Sequence, residues 1–581
     1  MTKSSESRCL TGEGVSPGIG CGRVWRGSDG SADSADYTPG TLAEEKSRLR
    51  AAAQKTAQQM NQRAQALRVK GEETAADIME AHALLAEDPL LLDAVEKELM
   101  AQESGLNTPE AVRAAAEEQA AVLSALEDPY IRERAADVRS VGKALIKALL
   151  GAKEAPPPEG PLILAGDDAA PAAFNILPAE RIEGMLFRRG SRTSHAAILA
   201  RAKGIPAVTG LGLALDEVAD SSFVIVDGST GCATVAPTAA DLQAAQEAAR
   251  QWQEECQDAA SFASAPAVTK DGCRITLGGN AGSTADVTAA MEAGADSIGL
   301  FRSEFLFWGR ETFPSEEEQY AAYRAAVQAA KGCCCVIRTL DAGADKTIPA
   351  LHLPSETNPA LGQRAIRISL ARPALLKDQL RAILRAGASG PIGILLPFVV
   401  NREEIVAVKR SLAMVKEELT AAHIPFAKDA PLGLTVETPA AAIMADRLVK
   451  EVDFFSIGTN DLTQYTLAAD RTHPASTALG GYLHPAVLRL IAQTAKAGAD
   501  AGIPVTVCGE MAADPLTLPL LLGMGIKSLS MDAASLFLTR AAIRRLSCQK
   551  ARHLWAHVQT LHDASAIRAY LTREGKNDDP P

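Results

Sequence analysis

The sequence predicts an α/β protein with a C-terminal TIM (β/α)8 barrel and an N-terminal β/α domain into which a helical bundle is inserted. Three observations carry this. At 581 residues the chain exceeds what one hydrophobic core organises, so it splits into domains. Its second half holds eight short apolar runs, most of them separated by helical stretches, which is the strand count of a (β/α)8 barrel. A block of helical periodicity, residues 42–150, follows a strand-like N-terminus and precedes further β/α signals, the pattern of an insertion into a discontinuous domain.

Along the chain, residues 1–41 form the first part of the β/α domain, with a turn-rich stretch from Gly12 to Gly20 running into a strand. Residues 42–150 repeat apolar side chains at helical spacing, through Ile78, Leu84 and Leu85 and then Leu91, Leu92 and Val95. Asp88-Pro89, Thr108-Pro109 and Asp128-Pro129 each start a helix with proline in the first turn. Pro156-Pro157-Pro158 closes the block. Within 151–238 the strands expected are Leu162–Ala165 and Phe223–Val226, with a helix near 194–203 between them. Residues 239–268 predict a linker helix. Residues 269–562 make the barrel, with strands expected at Arg274–Asn280, Ser297–Arg302, Cys334–Asp341, Ile392–Val399, Leu432–Pro439, Asp453–Asp461, Ile503–Glu510 and Ser528–Asp532. Residues 563–581 read as a tail, polar and unstructured from about Thr572.

Composition bounds the function. Apolar residues are 47% and charged residues 22% of the chain, an ordinary globular mixture. A net charge of −12, from 71 acidic and 59 basic residues, argues against nucleic-acid binding, although a local arginine cluster can still take an anionic substrate. Met1–Arg8 has no apolar core, so no secretory signal is expected. Leu516–Ile526 is short and interrupted by Pro519, Gly523 and Gly525, so no membrane insertion is expected. The ten cysteines contain no CxxC pair, and Cys333-Cys334-Cys335 leads into Val336-Ile337 as a strand. Reduced thiols in a cytoplasmic protein are the expectation.

The ends of the expected barrel strands are chemically unusual, and a barrel collects its active-site groups at the C-terminal ends of its strands. Glu437 and Asp461 end adjacent strands five and six, so two carboxylates can face one mouth and hold Mg2+ beside phosphates. Taken singly, Glu437 also reads as preceding a turn at Pro439, and Asp461 as a helix cap. Arg302, Arg338 and Arg471 supply forked, permanently charged donors for a phosphoryl group. Arg310, Arg364 and Arg367 are neighbours that read instead as surface or helix-face charges, and Lys346 is a further candidate for the pocket. Cys508 ends strand seven beside Gly509, where a thiol either donates a proton to carbon or packs. In the other domain, Gly190–His195 is a turn leading into a helix, placing His195 in the first helical turn. The helix dipole there disfavours imidazolium and favours an anion, leaving a neutral imidazole able to attack phosphorus. By itself Thr193-Ser194-His195 is more often an ordinary capping sequence with an exposed histidine.

Two segments, Gly190–Arg201 and Asp453–Tyr465, resemble the phosphohistidine and barrel signatures of phosphoenolpyruvate-utilising enzymes. Gly299–Phe305, Val436–Pro439, Cys508–Glu510, Ser16-Pro17-Gly18 and Glu133–Arg139 extend the likeness. Over about residues 12–560 the order is similar to the Enzyme I family of the bacterial sugar phosphotransferase system. The resemblance implies that His195 is the phosphorylated nucleophile. It implies that Arg302, Arg338, Asn460, Asp461 and Arg471 bind phosphoenolpyruvate, that Glu437 and Asp461 hold Mg2+, and that Cys508 protonates the enolate carbon to give pyruvate. The helical insert would dock the phosphocarrier HPr, the barrel would form a homodimer, and the β/α phosphohistidine domain would swivel between its partners. Ser191 and Ala344 stand where the family usually has glycine. A pyruvate-phosphate dikinase or phosphoenolpyruvate synthase would add an ATP-binding domain, for which no Gly-rich phosphate loop precedes the histidine. A non-catalytic regulator would have lost Glu437, Asp461, Arg302 or Cys508, and a fused multidomain transferase would continue beyond the barrel.

Overall fold

The computed structural model describes residues 7–26, 37–69, 73–102, 107–125, 129–150, 159–166, 181–189, 197, 200–201, 203–262, 265–308, 310–343, 348–354, 356–470 and 479–578. The chain divides into two compact units, Met1–Trp252 and Gln253–Pro581.

The first unit contains an eight-stranded sheet. Its strands are β1 (Arg8–Thr11), β2 (Glu13–Ser16), β3 (Ile19–Trp25), β4 (Leu162–Gly166), β5 (Ile182–Phe187), β6 (Ala207–Thr209), β7 (Phe223–Asp227) and β8 (Cys232–Val235). They lie in the order β1-β8-β7-β3-β4-β5-β6-β2. Strands β3 and β4 are parallel neighbours, with Val24 opposite Ile163, although five helices separate them among the described residues. The helical block is therefore an insertion, as its position suggested. Its helices are α1 (Leu42–Val69), α2 (Glu73–Ala86), α3 (Pro89–Ala101), α4 (Thr108–Ala125) and α5 (Pro129–Leu149). Three of them begin at the expected Pro-containing breaks, and Asp88 caps α3 by accepting a hydrogen bond from Leu90 N at 2.9 Å. Leu49, Leu91, Val95, Leu99, Val141 and Leu145 close the bundle core, whereas Leu84 stays 77% exposed. Near residues 194–203 the described positions Ala197, Ala200 and Arg201 are helical.

One expectation about thiols is corrected here. Cys9 and Cys232 are joined by a disulfide. The physical reason is adjacency: β1 and β8 pair antiparallel with Cys9 opposite Thr234 and Thr11 opposite Cys232, which makes the two cysteines diagonal neighbours.

A helix, Ala239–Ser261, follows the sheet. The second unit is a closed barrel of β9 (Thr276–Ala281), β10 (Ser297–Arg302), β11 (Cys335–Arg338), β12 (Ile392–Leu396), β13 (Leu432–Val436), β14 (Phe454–Ile457), β15 (Val505–Val507) and β16 (Ser528–Met531). Every neighbouring pair is parallel, and β16 closes onto β9 with Leu529 opposite Leu277. Leu300, Leu395 and Cys508 pack together inside, flanked by Val336 and Phe454. Of the run Cys333-Cys334-Cys335 read as strand, Cys335 opens β11 and is fully buried, whereas Cys333 and Cys334 precede it and are half-buried. The expected unstructured tail is corrected: Ala564–Asp578 is a helix. Ile567 and Leu571, one turn apart, are buried in the barrel core and anchor it. Among the described residues no helix is long and apolar enough to cross a membrane.

Candidate active site

Because all eight barrel strands run parallel, their C-terminal ends gather at one mouth. Arg302 closes β10 and Arg338 closes β11. Glu437 follows β13, Asn460 and Asp461 open the helix Thr459–Leu467 after β14, and Cys508 follows β15. On β9, Asn280 accepts from Ser530 Oγ at 2.6 Å and donates to the Cys508 carbonyl at 3.2 Å, fixing the backbone that carries the thiol. Asn460 Oδ1 accepts from Glu510 N at 3.4 Å.

The centre of the mouth is a buried charge cluster. Arg338 is ion-paired with Glu304 and lies 3.1 Å from Asp341. Arg364, 2% exposed, reaches Asp341 through Nε at 3.2 Å and Asp461 through Nη2 at 2.7 Å. Its Nη1 donates to the Tyr465 hydroxyl at 2.9 Å, which in turn donates to the Ala360 carbonyl. The guanidinium also lies 4.8 Å from the centre of the Phe398 ring. Burial opposes the charge on Arg364, but Asp341, Asp461 and Glu437 outweigh it and raise its pKa. Arg338 Nε, buried, has no hydrogen-bond partner. A donor left so, in a cluster this well paired, is available to an anion.

Glu437 is buried, and its Oε1 accepts from Phe398 N at 2.6 Å. Phe398 adopts φ 58°, a left-handed conformation that costs a bulky residue energy; here the turn aims its N–H at the carboxylate. Burial first, then the charges of Asp461 and Asp341, push the pKa of Glu437 up to about 8. The two guanidiniums therefore leave this carboxylate undercompensated. Oxygen donors with surplus negative charge are the set a hard divalent cation fits. Gly458 matters to that fit, since a Cβ there would come within 2.9 Å of Glu437 Oε2.

Cys508 is buried, and its thiol donates to the Ile457 carbonyl at 3.5 Å. Burial raises its pKa despite a contact with Ser456 that lowers it. The group is thus a thiol at neutral pH, suited to giving up a proton rather than to attacking as a thiolate.

Behind the cluster, Gln379 ties two strand ends together. Its Oε1 accepts from Leu340 N at 2.9 Å. Its Nε2 donates to Ser303 Oγ at 3.1 Å and to the Tyr323 hydroxyl at 3.0 Å. Ser303 and Leu340 are the chain neighbours of Glu304 and Asp341, the two partners of Arg338. Sequence reasoning missed Gln379, which lies on an amphipathic helix with no motif around it.

Among the residues expected from sequence, the structure brings Arg338, Glu437, Asp461 and Cys508 to the mouth, with Asn460 beside them. Arg302 is solvent-accessible at the rim, within reach of the like charge of Arg338. His195, Arg471, Lys346, Ser191 and Ala344 lie outside the described residues. Arg310 is a surface residue paired with Glu318 at 2.7 Å, as read. Arg364 is a correction: it is no surface charge but the most enclosed cation of the cluster, because Asp341 and Asp461 both need it. Arg367, 5.1 Å from the Phe398 ring centre, donates to the carbonyls of Leu361 and Gly362.

Three families match the chain in order: the N-terminal domain of PEP-utilising enzymes over residues 11–134, their mobile domain over 158–231 and their PEP-binding domain over 256–548. A phosphoenolpyruvate-protein phosphotransferase of Staphylococcus carnosus is 39% identical over 482 residues, covering 82% of this chain and 84% of that protein. Its counterpart from Geobacillus stearothermophilus is 36% identical over 576 residues, 99% of each chain. That of Bacillus subtilis is 36% identical over 566 residues, 97% of this chain and 99% of the other. With these likenesses running through both units and the charge cluster falling inside the matched PEP-binding domain, the chain belongs to the family of phosphoenolpyruvate-protein phosphotransferases.

Proposed function

We propose that the protein transfers the phosphoryl group of phosphoenolpyruvate to its own His195 and then to the histidine of the phosphocarrier HPr, releasing pyruvate. The observation that carries this reading is the mouth of the barrel, where Arg338 and Arg364 face Asp341, Glu437 and Asp461 beside a protonated Cys508. In this reading the bond between phosphorus and the enol oxygen breaks as a neutral imidazole nitrogen of His195 bonds to phosphorus. Arg338, with its unpartnered Nε, and Arg302 at the rim take the charge of the phosphoryl oxygens. Arg471 and Asn460 join them in holding the substrate. The enolate left behind takes the Cys508 proton on carbon, which yields the keto acid. Glu437 and Asp461 would hold Mg2+, which when bound supplies charge neutralisation at the phosphate and enolate oxygens.

The helical insert is the docking site for HPr in this reading, in keeping with the exposed Leu84, Leu90 and Val122 on the bundle. The barrel mediates a homodimer, for which the exposed Ile443 and Met444 offer apolar surface. The protein acts in the cytoplasm, with no membrane insertion.

The test uses phosphoenolpyruvate labelled on phosphorus, with Mg2+, on the wild type and His195→Ala. An acid-labile, alkali-stable label on the wild type alone, which moves to HPr when HPr is added, supports the reading. A wild type that stays unlabelled, or a variant labelled equally well, ends it. Labelling from ATP instead would point to a dikinase.

A further inference from the structure

Just before β9 the chain makes a tight hairpin. Thr269 N donates to the Cys273 carbonyl at 2.9 Å, Cys273 N donates to Thr269 Oγ1 at 3.0 Å, and Gly272 takes the left-handed turn at φ 83°. At its tip, Asp271 seats a second element, the helix Cys548–Val558. Its Oδ1 accepts from Cys548 N at 2.9 Å and from Thr269 Oγ1 at 2.6 Å. Its Oδ2 accepts from Gln549 N at 2.9 Å and Ser547 Oγ at 3.1 Å. Lys270 N donates to the Leu546 carbonyl at 2.8 Å. The hairpin and the helix start are thus clamped backbone to backbone.

The clamp places two thiols side by side. The sulfurs of Cys273 and Cys548 and a carboxylate oxygen of Asp271 all lie within 4.8 Å of one another. Both cysteines are free; Cys548 is buried and Cys273 is half-buried. Asp271 already accepts four hydrogen bonds, which leaves its oxygens poorly placed to ligate a metal ion. The sulfurs remain the reactive pair.

We propose that Cys273 and Cys548 are a reversible dithiol–disulfide site that staples the seam where β16 closes onto β9. Cys273 precedes the first barrel strand and Cys548 opens the helix that follows the last barrel unit, so the bond would join the two ends of the circular sheet. The oxidant is of the peroxide class. The accessible Cys273 sulfur attacks a peroxide oxygen, giving the sulfenic acid and one water. The Cys548 sulfur then displaces the hydroxyl group, and its own proton leaves with that hydroxyl as a second water. Two thiols lose two electrons and two protons, and the peroxide is reduced to two waters. The roles follow from environment: Cys273 is the more accessible sulfur, and burial and the neighbouring Cys273 sulfur push the Cys548 thiol up to about 11, so Cys273 is the sulfur oxidised first.

The test takes the full-length reduced protein, exposes it to hydrogen peroxide, blocks remaining thiols by alkylation and maps peptides without reduction. The expected result is a Cys273–Cys548 linked peptide two hydrogens lighter than its separate parts, removed by a dithiol reductant. In a Cys9→Ser background, where the Cys9–Cys232 disulfide cannot contribute, thermal unfolding should rise by several degrees on oxidation, a shift absent when Cys273→Ser is added and kept when Cys21→Ser is added. Recovery of Cys273 and Cys548 only as separate alkylated or over-oxidised peptides would overturn the proposal. So would stoichiometric Zn2+ shielding both thiols from alkylation with no linked peptide under peroxide, which would assign a metal site instead.

Discussion

Arg364 holds Asp461 through Nη2 at 2.7 Å and Asp341 through Nε at 3.2 Å. One guanidinium thus spans the ends of two strands that are not neighbours, β11 and β14, and sets the spacing of the carboxylates around Glu437. Removing it strips the buried Asp461 of this guanidinium and leaves Asp341 with Arg338 alone, which costs about 3–5 kcal/mol. Arg364→Met, similar in volume but without charge, should lower barrel stability by that order in a denaturant titration. It should also abolish measurable label transfer from phosphoenolpyruvate, even in the folded fraction. Arg364→Lys should recover more of the stability than of the transfer, because a single ammonium cannot serve both carboxylates and Tyr465.

Cys508 is kept protonated by burial. If it delivers the proton to carbon, Cys508→Ala should slow pyruvate formation by about 100- to 10,000-fold. Binding of phosphoenolpyruvate, followed by ligand-induced thermal shift, should change little. Since the thiol pKa is raised, the alkaline limb assigned to this group should lie above its ordinary value. A wild-type profile falling already near neutrality would argue for another proton donor.

Gly458 leaves room for one oxygen of Glu437. Gly458→Ala would set a Cβ 2.9 Å from Oε2 and 3.0 Å from the Glu437 Cβ, so the carboxylate must shift. The variant should fold and still need more divalent cation for half-maximal labelling, by about 10-fold, as expected for a displaced oxygen ligand. Unchanged cation dependence in a stable variant would remove Glu437 from the metal set.

The barrel was legible because its strands are short, almost wholly buried runs. Ser297–Arg302, Ile392, Leu432 and Ser528 begin strands where the sequence placed them. In the other unit β1, β2, β5, β6 and β8 escaped notice. β6 has three residues and β8 four, too few for any period to show. The final helix escaped for a similar reason, since a few apolar residues, Ile567 and Leu571 with Ala564 and Tyr570 packed beside them, anchor a polar segment. Within the site, residues at strand ends could be read from position alone. Arg364 could not, because its partners are 23 and 97 residues away, and the turn-rich segment around Asn358-Pro359 and Gly362 gives it no face to read. Gln379 was hidden in the same way, its three partners brought together only by the closed sheet.

Gln379 supplies the last prediction. It touches none of the charged groups, yet it fixes the residues next to Glu304 and Asp341. Gln379→Leu keeps the volume and strips the polar atoms, leaving Leu340 N without its acceptor. The stability cost should be about 1–3 kcal/mol. The loss in turnover should be larger than that cost suggests, about 10- to 100-fold, because small displacements of groups holding the phosphoryl oxygens are amplified in rate. Tyr323→Phe separates the two effects: it deletes a neighbour of the same amide but leaves its bonds to Ser303 and Leu340. It should therefore lose stability while keeping most of its turnover. If both variants lose turnover only in proportion to the fraction unfolded, Gln379 supports the fold and does not position the site.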